Sequence, residues 1–576
     1  MKTKFLISIM CTCLLVSCFD LDLNPLSSAS NENWNQTEVQ LEQSINNFYA
    51  VDHWVEVHDC WNDDQIDRNS AGDFAAGRIT SESSETQKMW DACYRAIARV
   101  NAVLKKMEQL PAGTLSEEKK NQFLGECYFM RACMYSRLIF HYGDVPYSDT
   151  VLDIETALAM GRIPKAEVLQ HIYDDFDAAV ELLPVSCSGQ TRATKGAAAG
   201  MKARVALWME DWDTVIASTG YIINELKCYE LYEDYNELFL NKTHNTKESV
   251  FSVGRSVAAG VTLTGWGDRT PRNNGGYARY VPSWGLLAAY LCTDGKPIDE
   301  SRVFDSHEPF KNRDPRCCAT IVPFGELFMG FVYDPKVTEE AKNDKKAYTT
   351  NAAGEKVENK DNIATTDVAS YSGLLWKKKV SEDCIANGFK TEHDMWILRY
   401  ADILLMYVEA KIEKNDIDQS VRDAMNQVRA RAYKCDYTET DKYPAVRETD
   451  QSRLRTLLRI ERRMEFPNEG LRYYDIIRWK LCEKLFGEGK KSYGLHRSGS
   501  GIYDNLVKTE YWFWGMTPPI DEDGIADFSL LAEKDMEGKT MCTSLCTYSF
   551  SKRQYLWPIP TKEIIINPNM KQNEGY

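Results

Sequence analysis

The chain has 576 residues, 43% of them hydrophobic and 27% charged, which supports a packed core and excludes wholesale disorder. Its 69 basic and 85 acidic side chains give a formal charge of −16. No concentrated basic face interrupts that acidic balance, so a nucleic-acid binder is excluded. The length allows about four ordinary domains or one large helical assembly.

In chain order, Lys2 and Lys4 precede an apolar run from Phe5 to Val16 that is too short to span a bilayer. A basic start and a short apolar run read as a secretory signal peptide, residues 1–17. Leu15-Val16-Ser17-Cys18 is similar to a bacterial lipobox, in which Cys18 is lipidated and becomes the mature N-terminus. The alternative is ordinary signal cleavage beside an incidental cysteine. A lipidated Cys18 makes the mature protein an acidic body tethered to a membrane, because acyl chains anchor by burying methylenes. The chain has 17 cysteines, scattered mostly within helical patterns and without a CxxC pair, so they read as buried free thiols.

Helical periodicity dominates both ends of the remaining chain. Phe123, Cys127, Met130, Met134 and Leu138 form one apolar stripe, ended by Gly143-Asp144-Val145-Pro146. Pro164 to Leu183 is a second helix, opened by its proline and stopped before Pro184. Two helix pairs joined by short turns are expected: Ala197–Met209 with Trp212–Leu226, and Trp396–Glu413 with Asp418–Arg431. Small residues from Ala197 to Ala206 allow the first pair to approach closely. Pairs of this length resemble tetratricopeptide units. Trp208 lies on the same helix as Ala203 and Leu207 and is expected in the core.

The middle of the chain has a different character. Residues 252–285 and 319–395 are rich in Gly, Asn, Thr and Lys and carry little periodicity, and loops of that length are functional or disordered. Lys336 to Asp367 reads as solvated and mobile. Gly265 to Trp284 interleaves Trp266, Tyr277, Tyr280 and Trp284 with Asp268, Arg269, Arg272 and Asn273, which is no linker composition.

Catalytic and metal motifs fail one after another. No HExxH occurs, and His53 and His58 do not share a helical face. Gly487-Glu488-Gly489-Lys490-Lys491-Ser492 lacks the first glycine of a phosphate loop and follows a helix instead of a strand. There is no GxSxG elbow. Glu461 and Glu465, interleaved with Arg462 and Arg463, read as ion-paired helix surface. Neither cofactor nor metal is expected.

Several segments together resemble one family. They are Cys18 to Pro25; Trp90, Tyr94, Ile97 and Asn101; Phe129-Met130-Arg131-Ala132; Tyr142 to Pro146; Arg192 to Ala198; Asp294 to Ile298; and Arg313-Asp314-Pro315-Arg316. Arg399 to Met406, then Asn426, Arg429, Arg431 and Ala432, continue the pattern. Glu461-Arg462-Arg463-Met464-Glu465-Phe466 comes next, with Glu469-Gly470, Arg472-Tyr473, Asp475 and Arg478-Trp479. Pro558-Ile559-Pro560, Asn567-Pro568 and Gln572-Asn573 close the chain, and the prolines make this end a rigid strap that should lie across the helices. In this order the segments resemble the SusD/RagB family of outer-membrane nutrient-binding lipoproteins, with Pro467 and Asn468 as departures from its pattern.

The resemblance implies an all-α fold with tetratricopeptide-like helix pairs and an irregular, loop-rich ligand-binding region. Expected divisions are 18–250 and 396–576 for the helical parts and 251–395 for the binding region. It further implies a non-catalytic protein that captures oligosaccharides and delivers them to a TonB-dependent outer-membrane barrel. The alternatives are a peptide-binding or a glycan-degrading surface lipoprotein. Sugars stack their apolar faces on aromatic rings and exchange hydrogen bonds with Asp, Asn and Arg. The candidate contacts are therefore Trp266, Tyr277, Tyr280 and Trp284 with Arg269 and Asn273, and a second cluster of Trp61, Asp63 and Asp64. Packing beneath the loop is the competing reading for each. Trp512, Phe513 and Trp514 read as a locally packed aromatic knot.

Overall fold

The computed structural model describes residues 34–54, 59–68, 70–186, 192–493, 517–529 and 544–576. Cys18 and the Trp512–Trp514 knot lie outside the described residues.

The longer helices of the first half are α1 (Glu38–Asn46), α2 (Ser84–Glu108), α3 (Glu117–Tyr142), α4 (Lys165–Leu182), α5 (Lys195–Trp208) and α6 (Trp212–Gly220). Those of the second half are α7 (Tyr400–Glu413), α8 (Gln419–Ala432), α9 (Gln451–Glu465) and α10 (Leu471–Arg478). Local chemistry starts several of them. Ser116 caps α3 and Thr194 caps α5 by accepting a backbone N–H of the first turn, and Asp211 and Asp418 do so for α6 and α8. Gly143, at φ +74°, ends α3.

From α2 to α6 each helix packs on the next, and α6 then packs on α7, which packs on α8. The tetratricopeptide-like stack is thus continuous in space, although residues 221–399 intervene between α6 and α7. Gly200 explains one close approach: a Cβ there would come within 2.4 Å of Leu398 and 2.9 Å of Ile403.

Two strands close the base of that excursion. Ser249–Val253 (β1) pairs antiparallel with Met395–Arg399 (β2), from Ser249 opposite Arg399 to Val253 opposite Met395. The expected helix start at Trp396 is therefore corrected to Tyr400, because residues 395–399 satisfy their backbone across this ladder. The helix expected over Trp212–Leu226 also changes character, passing into a π-helical turn over Tyr221–Leu226.

The segment Lys336 to Asp367, expected to be solvated, is folded. Tyr348–Thr350 and Lys356–Glu358 form a hairpin, and Val337, Ala341 and Ala347 pack together. The Asn359 amide donates to the Asp334 carbonyl at 2.8 Å and the Asn362 amide to the Lys336 carbonyl at 2.8 Å. Order here comes from side chains bonding to backbone, which leaves no hydrophobic period to read.

Glu461 and Glu465 are corrected as well. They are ion-paired, but both are fully buried in a lattice of arginines. Arg316 bridges Glu461 (2.8 Å) and Glu465 (2.9 Å), and Arg429 meets Glu461 at 2.6 Å. Arg399 reaches Glu248 and Glu465, each at 2.7 Å, and Glu469 at 2.8 Å. Next to Glu461 on α9, Arg462 joins Asp402 at 2.8 Å and Asp475 at 2.9 Å. Burial works against the Asp402 charge, yet Arg462 and Arg204 outweigh it and hold that carboxyl down at about 2.

Candidate functional site

The two candidate clusters, far apart in sequence, meet in space. Gln65–Asp67 (β3) pairs antiparallel with Tyr280–Pro282 (β4), placing Asp67 opposite Tyr280. Ser283 fastens the junction: its N–H donates to the Asp64 carbonyl (2.9 Å) and its hydroxyl to the Asp63 carbonyl (2.6 Å).

Once together, the candidates divide into buried and accessible side chains. Trp61 is 5% exposed, stacked on Phe74 at 5.9 Å, with its edge towards Trp557. Asp63 receives Arg472 at 2.8 and 3.0 Å and Arg463 at 2.7 Å, and Asp64 receives Arg463 at 2.9 Å. Burial opposes the Asp63 charge, but Arg463 and Arg472 prevail and hold its carboxyl below the usual range, while burial and the Asp63 charge beside it push Asp64 up. This cluster is core and lattice, not an open face.

Trp266 and Trp284 are also interior, 4% and 2% exposed. The Trp266 indole donates to the Lys379 carbonyl at 3.0 Å, and that of Trp284 to the Ser372 carbonyl at 2.8 Å. For Trp266 as for Trp284, the side chain is packed beneath the loop, the competing reading of these candidates. The Trp266 loop is drawn in because Leu263 and Trp266 bond through backbone to Thr391 and Phe389. Trp208, the expected core residue, is only partly buried and stacks on Tyr474 at 4.8 Å. Asn273 is built into the loop: its amide donates to Asn359 (3.2 Å) and its side-chain oxygen accepts from the Lys360 N–H (2.7 Å).

Tyr277 remains at the surface, and Tyr280 and Arg269 are half-buried. Tyr277 is 50% exposed, with its ring centroid 6.1 Å from that of Phe389. Gly267 lies directly below, and a Cβ on it would press both rings at 3.1 Å. Gly276 lets the chain pass Thr270, whose carbonyl oxygen would lie 2.3 Å from an added Cβ. Beneath, the buried Asp361 carboxylate accepts the N–H groups of Arg272 (2.6 Å) and Asn273 (3.1 Å). Burial pushes Asp361 up to about 6, against those two N–H groups.

Arginines surround the tyrosines. Arg269 and Arg279 lie over the Tyr280 ring, 5.4 and 4.9 Å from its centroid, and Arg269 also covers Trp266 at 4.9 Å. Arg279 grips Asp67 with two hydrogen bonds of 2.7 and 2.8 Å. Arg68 donates to the Tyr277 carbonyl at 3.0 Å. Sequence reasoning missed Arg68, Asp67, Arg279 and Phe389. Arg279 lay in plain view inside the chosen loop, whereas Phe389 is joined to that loop only by the fold.

Fold and site define a helical-repeat protein bearing an aromatic, arginine-rich face on a region inserted into the stack. The SusD family model matches residues 246–576, more than half of the chain, and a second model, described as starch-binding and associating with the outer membrane, matches residues 21–207. The chain belongs to the SusD family. SusD-like protein P2 of Formosa agariphila is 25% identical over 511 residues, covering 82% of this chain and 90% of that one. The crystal structure of a SusD-like carbohydrate-binding protein from Bacteroides fragilis superposes with a TM-score of 0.74 at 24% identity, covering 93% of this chain and 99% of that one. A second SusD-like protein of Bacteroides fragilis superposes at 0.70 with 23% identity, covering 96% and 100%.

Proposed function

We propose that this protein is a non-catalytic, glycan-binding lipoprotein of the outer membrane, anchored through Cys18, that hands oligosaccharides to a TonB-dependent barrel. The observation that carries the reading is the Tyr277 face: a half-exposed ring beside Phe389, fixed from below by Gly267 and Asp361. Such a face stacks against the apolar side of a pyranose, and the surrounding polar groups meet its hydroxyls. Family membership and the carbohydrate-binding relative support the same reading. A binding role without catalysis is favoured because the paired carboxylates Asp63/Asp64 and Glu461/Glu465 are engaged by arginines.

Calorimetry of the purified protein against a glycan panel tests binding, with Tyr277→Ala as the decisive variant. Loss of one stacking surface should weaken binding about tenfold, on the order of 1–2 kcal/mol, with the melting temperature unchanged. A variant that binds every glycan as tightly as wild type would remove Tyr277 from the site. Cys18→Ala should move the protein from the membrane to the soluble fraction, and detergent extracts of the wild type should contain a barrel. A variant that stays on the membrane defeats the lipid anchor, and extracts that repeatedly yield no barrel defeat the delivery step.

A further inference from the structure

From the donors and acceptors left at the Tyr277 face, we infer that it selects glycans carrying acidic groups, carboxylate or sulfate, over neutral ones. The inference rests on the reading of this face as the glycan site.

A neutral sugar presents hydroxyls, which both donate and accept, so a site for it offers acceptors and donors together. Here the acceptors are largely engaged within the protein. Asp67 is gripped twice by Arg279, the Asn273 side-chain oxygen accepts from Lys360, and Asp361 is buried under two backbone N–H groups. Asp268 is the remaining carboxylate on this stretch of loop. Against it stand the guanidinium groups of Arg68, Arg269, Arg272 and Arg279, which only donate.

Their placement suits an anion. The Arg68 hydrogen bond to the Tyr277 carbonyl lies at the surface. The Arg279 side chain is 43% exposed even while holding Asp67. Arg269 and Arg279 both lie over the ring of Tyr280, which holds their planes in place on the same stretch of loop as Tyr277. Planar guanidinium groups held in place match the paired oxygens of a carboxylate or sulfate, and match a hydroxyl less well. A concentration of arginines runs against the composition of a chain with net charge −16, so it does not follow from the general charge balance.

The test is calorimetry with four probes: a galacturonate hexasaccharide, its carboxyl-reduced neutral counterpart, a chondroitin sulfate hexasaccharide and laminarihexaose. At least one acidic probe should bind tenfold or more tightly than both neutral ones, and the two acidic arms separate uronate from sulfate recognition. Arg68→Gln combined with Arg269→Gln should cut that preference below threefold with an unchanged thermal melt, while Tyr277→Ala weakens all binding. Equal or tighter binding of the neutral probes, abolished by Tyr277→Ala, overturns the acidic preference and leaves the site in place. Acidic preference unchanged in the double variant also overturns it. Absence of binding to all four probes, or binding indifferent to Tyr277→Ala, overturns the preference and the site together.

Discussion

Trp266 and Tyr277 belong to the same loop, yet the fold uses them in opposite ways. Trp266 has its indole N–H bonded to Lys379 and its ring among Trp284, Trp376 and Leu287, whereas half of Tyr277 meets solvent. Trp266→Ala should therefore destabilise the protein by about 3–5 kcal/mol, the cost of a buried aromatic replaced by a cavity. Trp208→Ala should cost less, because that ring is only partly buried against Tyr474 and Phe140. Chemical denaturation of both variants checks the order, and a Trp266→Ala protein as stable as wild type would contradict the burial. A sequence shows that a tryptophan sits among glycines. It does not show that Lys379 and Phe389 return to cover it.

At the scale of elements, the legible parts are those whose order is local. Caps, breaker residues and apolar stripes set α4, α5 and α8 to within two residues, and the end of α3 and the start of α6, because helix hydrogen bonds close within one turn. The pairings of β1 with β2 and of β3 with β4 are not legible, since each joins segments more than a hundred residues apart by backbone alone. The proline-rich end of the chain does lie as a strap across helices. Its anchor is Asn573, whose amide donates to the Tyr142 carbonyl (2.9 Å) and the Trp557 carbonyl (2.7 Å) and whose oxygen accepts from Arg162 (2.6 Å). Asn573→Ala removes the Trp557 carbonyl's side-chain donor, one of the two donors to the Tyr142 carbonyl and one of the acceptors of Arg162, and should cost about 1–3 kcal/mol. Asn573→Asp should be just as damaging, because it removes the donor that both carbonyls use. Thermal melts of the two variants decide this, and an undisturbed Asn573→Asp protein would mean the strap is held elsewhere.

For the molecule as a whole, the buried ion lattice decides how the parts cohere. The sequence separates a loop-rich middle from the helical ends, and independent units of that kind would unfold in separate steps. The lattice opposes this. Glu248 comes from the first part, Arg316 and Lys378 from the middle, and Arg399, Arg431, Glu465 and Glu469 from the last, all in one connected set. Pulling the middle away would leave Glu461 and Glu465 buried without Arg316, and breaking a buried pair on one side costs about 3–5 kcal/mol. Calorimetry at neutral pH should accordingly record a single unfolding transition. A neighbouring buried ion set, in which Asp402 holds Arg204 and Arg462, sets the acid limit. Asp402 is held at about 2, below its ordinary 3.8, so the stability it contributes is complete above about pH 4 and is lost as pH falls towards 2. Glu465 is depressed in the same direction, chiefly by Arg431, Arg399 and Arg316 acting against its burial. Asp402 alone accounts for about 2 kcal/mol, so the melting temperature should fall over that window while the transition stays single. A second peak appearing at neutral pH would show that the inserted region unfolds on its own, and that the lattice does not bind it to the helices.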